Sequence, residues 1–151
     1  MDEIDLKILG ALSEDGRATY SELADQVGLS GPSTADRVRR LEERGAVRGY
    51  CALVDPVALG LDLTAFISVT LEGTKSRTAF LAALATYPEV VECHHVAGDD
   101  DYLLKVYAAG TLGLEAFISD RLRTLPGIAR TRTTVVLSTA LDRPLSPRRD
   151  A

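Results

Sequence analysis

The stretch Ser30-Gly31-Pro32-Ser33-Thr34-Ala35-Asp36-Arg37-Val38-Arg39-Arg40-Leu41-Glu42-Glu43-Arg44-Gly45 decides how the chain is read. Ser30 offers a side-chain oxygen to the free N–H groups of a helix start, and Pro32 suits a first turn, where its missing N–H is no loss. Gly45 supplies a stop. At 100° per residue Ala35, Val38 and Leu41 fall along one line and predict the buried stripe, while Ser33, Arg37, Arg40 and Arg44 gather on the neighbouring exposed face.

Residues 30–48 hold five arginines against the acids Asp36, Glu42 and Glu43, a surplus of two positive charges. Guanidinium groups pair with phosphates and can engage guanine O6 and N7 in the major groove, and a hydroxyl near a helix start can reach a base edge. The expected partner is double-stranded DNA. Ser33, Thr34 and Arg37 are expected at or near base edges and Arg40, Arg44 and Arg48 mainly on phosphates, with the capping Ser30 completing the DNA-binding set. A merely solvated helix face would carry a similar stripe, so the flanking sequence has to decide.

Upstream, Ile4, Leu6, Ile8, Leu9 and Leu12 are spaced as on a helix over residues 2–14, closed by Gly16. Thr19-Tyr20-Ser21-Glu22 has the form of a capping box and opens a short helix over 19–26 that stops at Gly28. Downstream, Ala46 to Val54 reads as an extended wing, ended by Asp55-Pro56. Three helices and a wing predict a winged helix-turn-helix domain at 1–49, with 50–61 as an extended linker.

The period then changes. Leu63, Ala65, Ile67, Val69 and Leu71 alternate with Thr64, Phe66, Ser68 and Thr70, as in a half-buried strand. A helix bearing Phe80, Leu81 and Leu84 follows, then strands over 90–97 and 101–108 around Gly98-Asp99-Asp100. A helix bearing Leu114, Phe117, Ile118 and Leu122 and a strand over 128–139 complete the pattern. Strand, helix, strand, strand, helix, strand is the ferredoxin-like βαββαβ order. Phe80, Leu84, Tyr87, Pro88 and Val90 echo Ile118, Leu122, Leu125, Pro126 and Ile128, in agreement. The fold class is therefore α+β, with a ferredoxin-like domain at 62–141 and a mobile tail at 142–151 that carries Arg148-Arg149.

The chain has 151 residues, 46 % of them hydrophobic, and a formal charge of -5, which suits a packed core and argues against indiscriminate nucleic-acid binding. Cys51 and Cys93 lie outside any C-x-x-C pattern, and buried free thiols in a reducing compartment are expected. The acidic start Met1-Asp2-Glu3-Ile4-Asp5 is unlike a signal peptide, and no apolar run approaches the roughly 18 residues of a membrane span. A soluble, cytoplasmic protein is expected.

Gly28-Leu29-Ser30, Arg37-Val38-Arg39-Arg40-Leu41-Glu42 and Gly49-Tyr50 resemble the helix-turn-helix of the Lrp/AsnC, or feast/famine, transcription regulators. Ala97-Gly98-Asp99-Asp100-Asp101-Tyr102-Leu103-Leu104, Leu125-Pro126-Gly127-Ile128 and Arg132-Thr133-Thr134-Val135-Val136-Leu137 are similar to the C-terminal regulatory domain of that family. The resemblance covers nearly the whole chain. It implies a homodimer formed through the C-terminal sheets, often assembled into octamers, and an amino acid or related small effector bound near the turn between the second and third strands. By family position the effector would meet Gly98, Asp99, Asp101 and Tyr102, facing Thr134, Val135 and Val136 of the same or a neighbouring subunit. Three successive aspartates depart from the usual turn, and Gly31-Pro32 and Ala46-Val47 depart from the usual DNA-binding half.

Read on its own residues, the Gly98-Asp99-Asp100 segment is also ordinary turn chemistry. His94 and His95 are adjacent, so on a strand they face opposite sides and cannot simply share a metal. A site across a subunit contact, with Glu92 and Cys93, stays open. No residue pattern calls for a cofactor, and no catalytic triad, phosphate loop or H-E-x-x-H segment is present. An enzyme reading survives only through the likeness of some haem-pathway decarboxylases to this two-domain fold, and it would leave the arginine stripe without a purpose. A DNA-packaging protein without an effector fits poorly with the acidic charge.

Overall fold

The protein is described by a computed structural model covering residues 1–73 and 76–147; the Arg148-Arg149 end of the expected tail lies outside the described residues. It divides into two compact units, one of Met1–Leu53 with residues 141–147, the other Val54–Ala140.

In the first unit α1 spans Glu3–Glu14, α2 Tyr20–Val27 and α3 Gly31–Glu43. Each start is fixed by a side chain. Thr19 and Glu22 form the expected capping box, and Ser30 Oγ accepts from the Ser33 amide at 3.4 Å. At α1 a second box, Asp2 with Asp5, exchanges bonds of 2.9 and 3.1 Å. Gly45, at φ 71°, takes a conformation that side chains resist, and lets the Ala46 amide bond back to Leu41 O at 2.9 Å. Ile8, Leu23, Val38 and Leu41 form the core, ringed by Ile4, Leu9, Leu12, Val27 and Val47. Full burial of such a side chain contributes about 1.5–3 kcal/mol.

Two expectations for this unit are corrected. The third buried residue of α3 is Thr34, with Ala35 only half-buried, because Thr34 satisfies its hydroxyl within the helix by donating to Ser30 O at 3.1 Å. The wing carries no strand: residues 46–55 are a turn and then irregular chain, and Tyr50 folds back to donate to Glu42 at 2.9 Å. A single extended segment needs a second strand for its ladder bonds, and among the described residues none pairs with it.

The second unit opens with a 3-10 turn, Pro56–Leu59. The strands β1 (Leu63–Leu71), β2 (Val90–His95), β3 (Tyr102–Ala108) and β4 (Ile128–Val135) form one antiparallel sheet in the order β2-β3-β1-β4. Two helices cover one face: α4 (Arg77–Leu84), and α5 (Gly110–Ala116), which runs on as a π-helical segment, Phe117–Leu122. Ala65, Ile67, Val69, Leu104 and Val106 pack there on Phe80, Leu84, Leu114, Phe117 and Leu122. The opposite face presents Phe66, Leu103, Lys105 and Tyr107, all half-buried. β2 and β4 end at His95 and Val135, earlier than the periodicity suggests, because hydrophobic residues such as Val96 and Leu137 continue past the last paired position. Cys51 and Cys93 are exposed, contrary to the expected burial: the first is on the irregular segment, the second on an edge strand.

Candidate DNA interface and effector turn

With Thr34, Val38 and Leu41 turned into the core, helical geometry fixes the outward side of α3. Pro32, Asp36 and Glu43 lie within about 30° of the direction opposite that stripe, and Arg39 and Arg40 flank it at about 50°. Ser33 and Arg44 sit further round, and Arg37 lies against the rim of the core. Reading Ala35 as buried turns the expected apolar stripe by about 30°, but the expected face follows its donors and lies about 80° from the outward direction. Asp36 and Arg39 are missed for that reason.

Thr34, expected near a base, is fully buried, and that role is withdrawn. Arg37 points back at α1: its Nη1 donates to Asp2 Oδ2 and to Asp5 Oδ1, both at 2.7 Å. The Asp2 and Asp5 hydrogen bonds raise the Arg37 pKa above its ordinary value. The Asp5 amide, and then Arg37, hold the Asp2 carboxyl below its usual range. These residues line a cleft of about 380 Å³ with Met1, Arg40 and Arg44. Arg40 pairs with Asp36 at 2.6 Å, and Arg39 bridges Asp36 at 2.5 Å and Glu43 at 2.8 Å. Arg44 and Arg48 are exposed and form no ion pair among the described residues.

In the second unit the turn between β2 and β3 is bound to the sheet by its own aspartates. Asp101 donates its amide to Val69 O at 2.9 Å, and its Oδ2 accepts from the Leu71 amide at 2.7 Å. Asp100, with its side chain only 9 % exposed, accepts from Thr70 at 3.1 Å, Arg130 at 3.2 Å and Arg132 at 2.7 Å. Burial raises the Asp100 pKa, but Thr70 and the two arginines outweigh it and the net shift is downward. Gly98, at φ 144°, and Asp99 form the exposed tip. Tyr102 is buried, its ring 5.1 Å from Phe80 and 5.2 Å from His95, so it serves the core rather than an open site. The Asp101 carboxylate is likewise committed to the sheet.

The strand register separates the two halves of the expected effector site. Val69, beside the turn, pairs with Tyr102 and Thr131, whereas Ala65 pairs with Val135. Thr131 and Val135 are four residue steps apart along β4, about 13 Å at about 3.3 Å per residue. Thr134 pairs with Phe66 and Val135 with Ala65, so their side chains leave opposite faces. The two halves cannot close on one small ligand within a single protomer, which removes the same-subunit alternative. His94 and His95 face opposite sides as expected, His94 bonding Glu92 at 2.9 Å and His95 lying against Tyr102.

Comparison with known proteins bears on both halves. Residues 1–42 match the AsnC-type helix-turn-helix domain, and residues 64–145 match the Lrp/AsnC ligand binding domain. The leucine-responsive regulatory protein of Rhizobium meliloti is 40 % identical over 144 residues, 94 % of this chain and 92 % of its own length. Among solved structures, the L-methionine complex of a Neisseria meningitidis transcriptional regulator superposes with a TM-score of 0.91 at 34 % identity, covering 95 % of this chain and 94 % of that one. The feast or famine regulatory protein of M. tuberculosis complexed with L-methionine gives 0.90 at 39 % identity, with 97 % and 99 % covered. With both domains matched in order over nearly its whole length, the chain belongs to the Lrp/AsnC family of transcription regulators, DNA-binding proteins rather than enzymes.

Proposed function

We propose that this regulator is a one-component cytoplasmic switch: α3 holds double-stranded DNA, and an amino-acid effector captured between subunits changes how the homodimer assembles into larger oligomers such as an octamer. The strand register is the observation that carries the reading. Gly98 and Asp99 sit at one end of the sheet and Thr134 to Val136 at the other, so a ligand touching both sets has to bridge two subunits. Binding and assembly are then one event, and the effector shifts the population of assemblies by as much as it prefers one of them. The L-methionine complexes of two relatives support an α-amino acid as the ligand class.

On the DNA side, Ser33 at the helix start and Arg40, Arg44 and Arg48 remain the contacts, joined by Arg39, while Ser30 caps the helix and Arg37 positions it. Screening the twenty amino acids by thermal shift, with sedimentation velocity on any that act, tests the effector reading. A ligand at ~100 times its dissociation constant should stabilise the protein by ~2.7 kcal/mol. The same amino acid should change the sedimenting species. Stabilisation without such a change would sink the assembly mechanism, and silence from all twenty would sink the amino-acid effector.

A further inference from the structure

Asp36 occupies the middle of the outward side of α3, where a DNA-binding helix presents itself to the groove. DNA is a polyanion, and a carboxylate there opposes every phosphate it approaches. It also draws both flanking arginines to itself. Its Oδ1 takes Arg39 and its Oδ2 takes Arg40, while Glu43 takes the second Arg39 nitrogen. Two carboxylates thus face two guanidiniums, and the centre of the helix surface is neutral.

Helix support alone would be served by pairs placed anywhere on a solvent-facing side. Here the acid stands instead where a base edge would come. An ionised carboxylate has about four lone-pair positions, so each oxygen can keep its arginine and still accept from a further donor. In the major groove the exposed amino group of cytosine N4 is the characteristic partner of an aspartate. Guanine offers only acceptors on that edge, and an acceptor against a carboxylate is repulsive. Asp36 is held ionised, with hydrogen bonding from Arg39 as the leading cause of its lowered pKa.

We propose that Asp36 is a specificity-determining residue: its carboxylate reads a cytosine amino group in the major groove and keeps Arg39 and Arg40 from gripping phosphates on unrelated DNA. The role rests on α3 being the DNA-contacting helix. Its signature is unusual, since removing the side chain should strengthen binding to the wrong DNA.

The test uses the full-length chain as wild type, Asp36→Asn, Asp36→Ala and, as a control for helix placement, Arg44→Ala. Affinity for one unrelated duplex is measured against salt, and preferred sequences are selected from a random duplex pool. For both Asp36 variants, affinity for the unrelated duplex should rise, and the salt slope should steepen by about one to two units as the arginines are released, at about 0.9 per phosphate. A C·G pair in the selected motif should lose about tenfold of its preference. The melting midpoint should stay near wild type. An unchanged motif overturns the proposal whatever the affinity does, and so does an unchanged slope on the unrelated duplex. If Arg44→Ala flattens the slope by about one unit while the Asp36 variants match wild type, Asp36 alone is misassigned. If Arg44→Ala also leaves the slope unchanged, the placement of α3 on DNA falls with it.

Discussion

Arg37 directs its guanidinium at Asp2 and Asp5 rather than into solvent, and it therefore ties the first turn of α1 to the middle of α3. Replacing it with alanine leaves the buried Asp5 carboxylate without its cation. Arg37→Ala should lower the melting midpoint by a few degrees while the DNA sequences selected by the variant keep the wild-type base preference. Loss of that preference without loss of stability would return Arg37 to the bases. Tyr50 makes a second residue-scale prediction. Its phenol is pushed up to about 12 by burial and by the hydrogen bond to Glu42, against about 10 for an unfolded tyrosine. Between those values the folded state binds more protons than the unfolded one, so the stabilisation is complete below pH ~10 and is lost as pH rises toward ~12. Alkaline unfolding midpoints of wild type and Tyr50→Phe should differ in that window, the variant losing less stability across it.

Among the elements, local signals carried well. The Thr19-Glu22 box, the Ser30 cap, Gly45 and the alternation of β1 are each decided within a few residues, and each appears in the fold where the chain alone placed it. Thr34 failed locally, because a hydroxyl that can bond the carbonyl four residues back, here Ser30 O, can be buried. The other failures depended on partners far along the chain. Arg37 looks free until α1 is folded beside it, and Asp101 looks like a ligand for an ammonium group until the Leu71 amide of β1 takes its carboxylate. The π-helical continuation of α5 was also invisible to a 3.6-residue period, since buried Phe117 and Leu122 stand five apart. An α-helix returns residues four apart to one side. Deleting exposed Ser119 should convert the segment to α-helix, keep both side chains in the core and leave far-ultraviolet circular dichroism and cooperative melting intact. A non-cooperative transition would show that the wider turn is required.

For the whole molecule, the balance of charges places the burden of DNA binding on more than one copy. The chain is net negative, and the middle of α3 is neutralised by its own acids, so one helix should hold DNA weakly and two held together much more strongly. The helix-free face, with Phe66, Leu103 and Tyr107 half-buried in the single chain, offers apolar area for such pairing. The register of β1 with β3 and β4 also has a genetic consequence. Gly98 and Thr134 belong to opposite ends of the sheet, so an effector that bridges two subunits as proposed would let two differently damaged chains repair each other. Gly98→Ala strains the turn and Thr134→Lys alters the other end, so each pure variant should ignore the effector. Co-expressed, they should regain a response, since some contacts between unlike subunits would join an intact turn to an intact strand. Verified mixed oligomers that stay unresponsive would overturn the site shared between subunits.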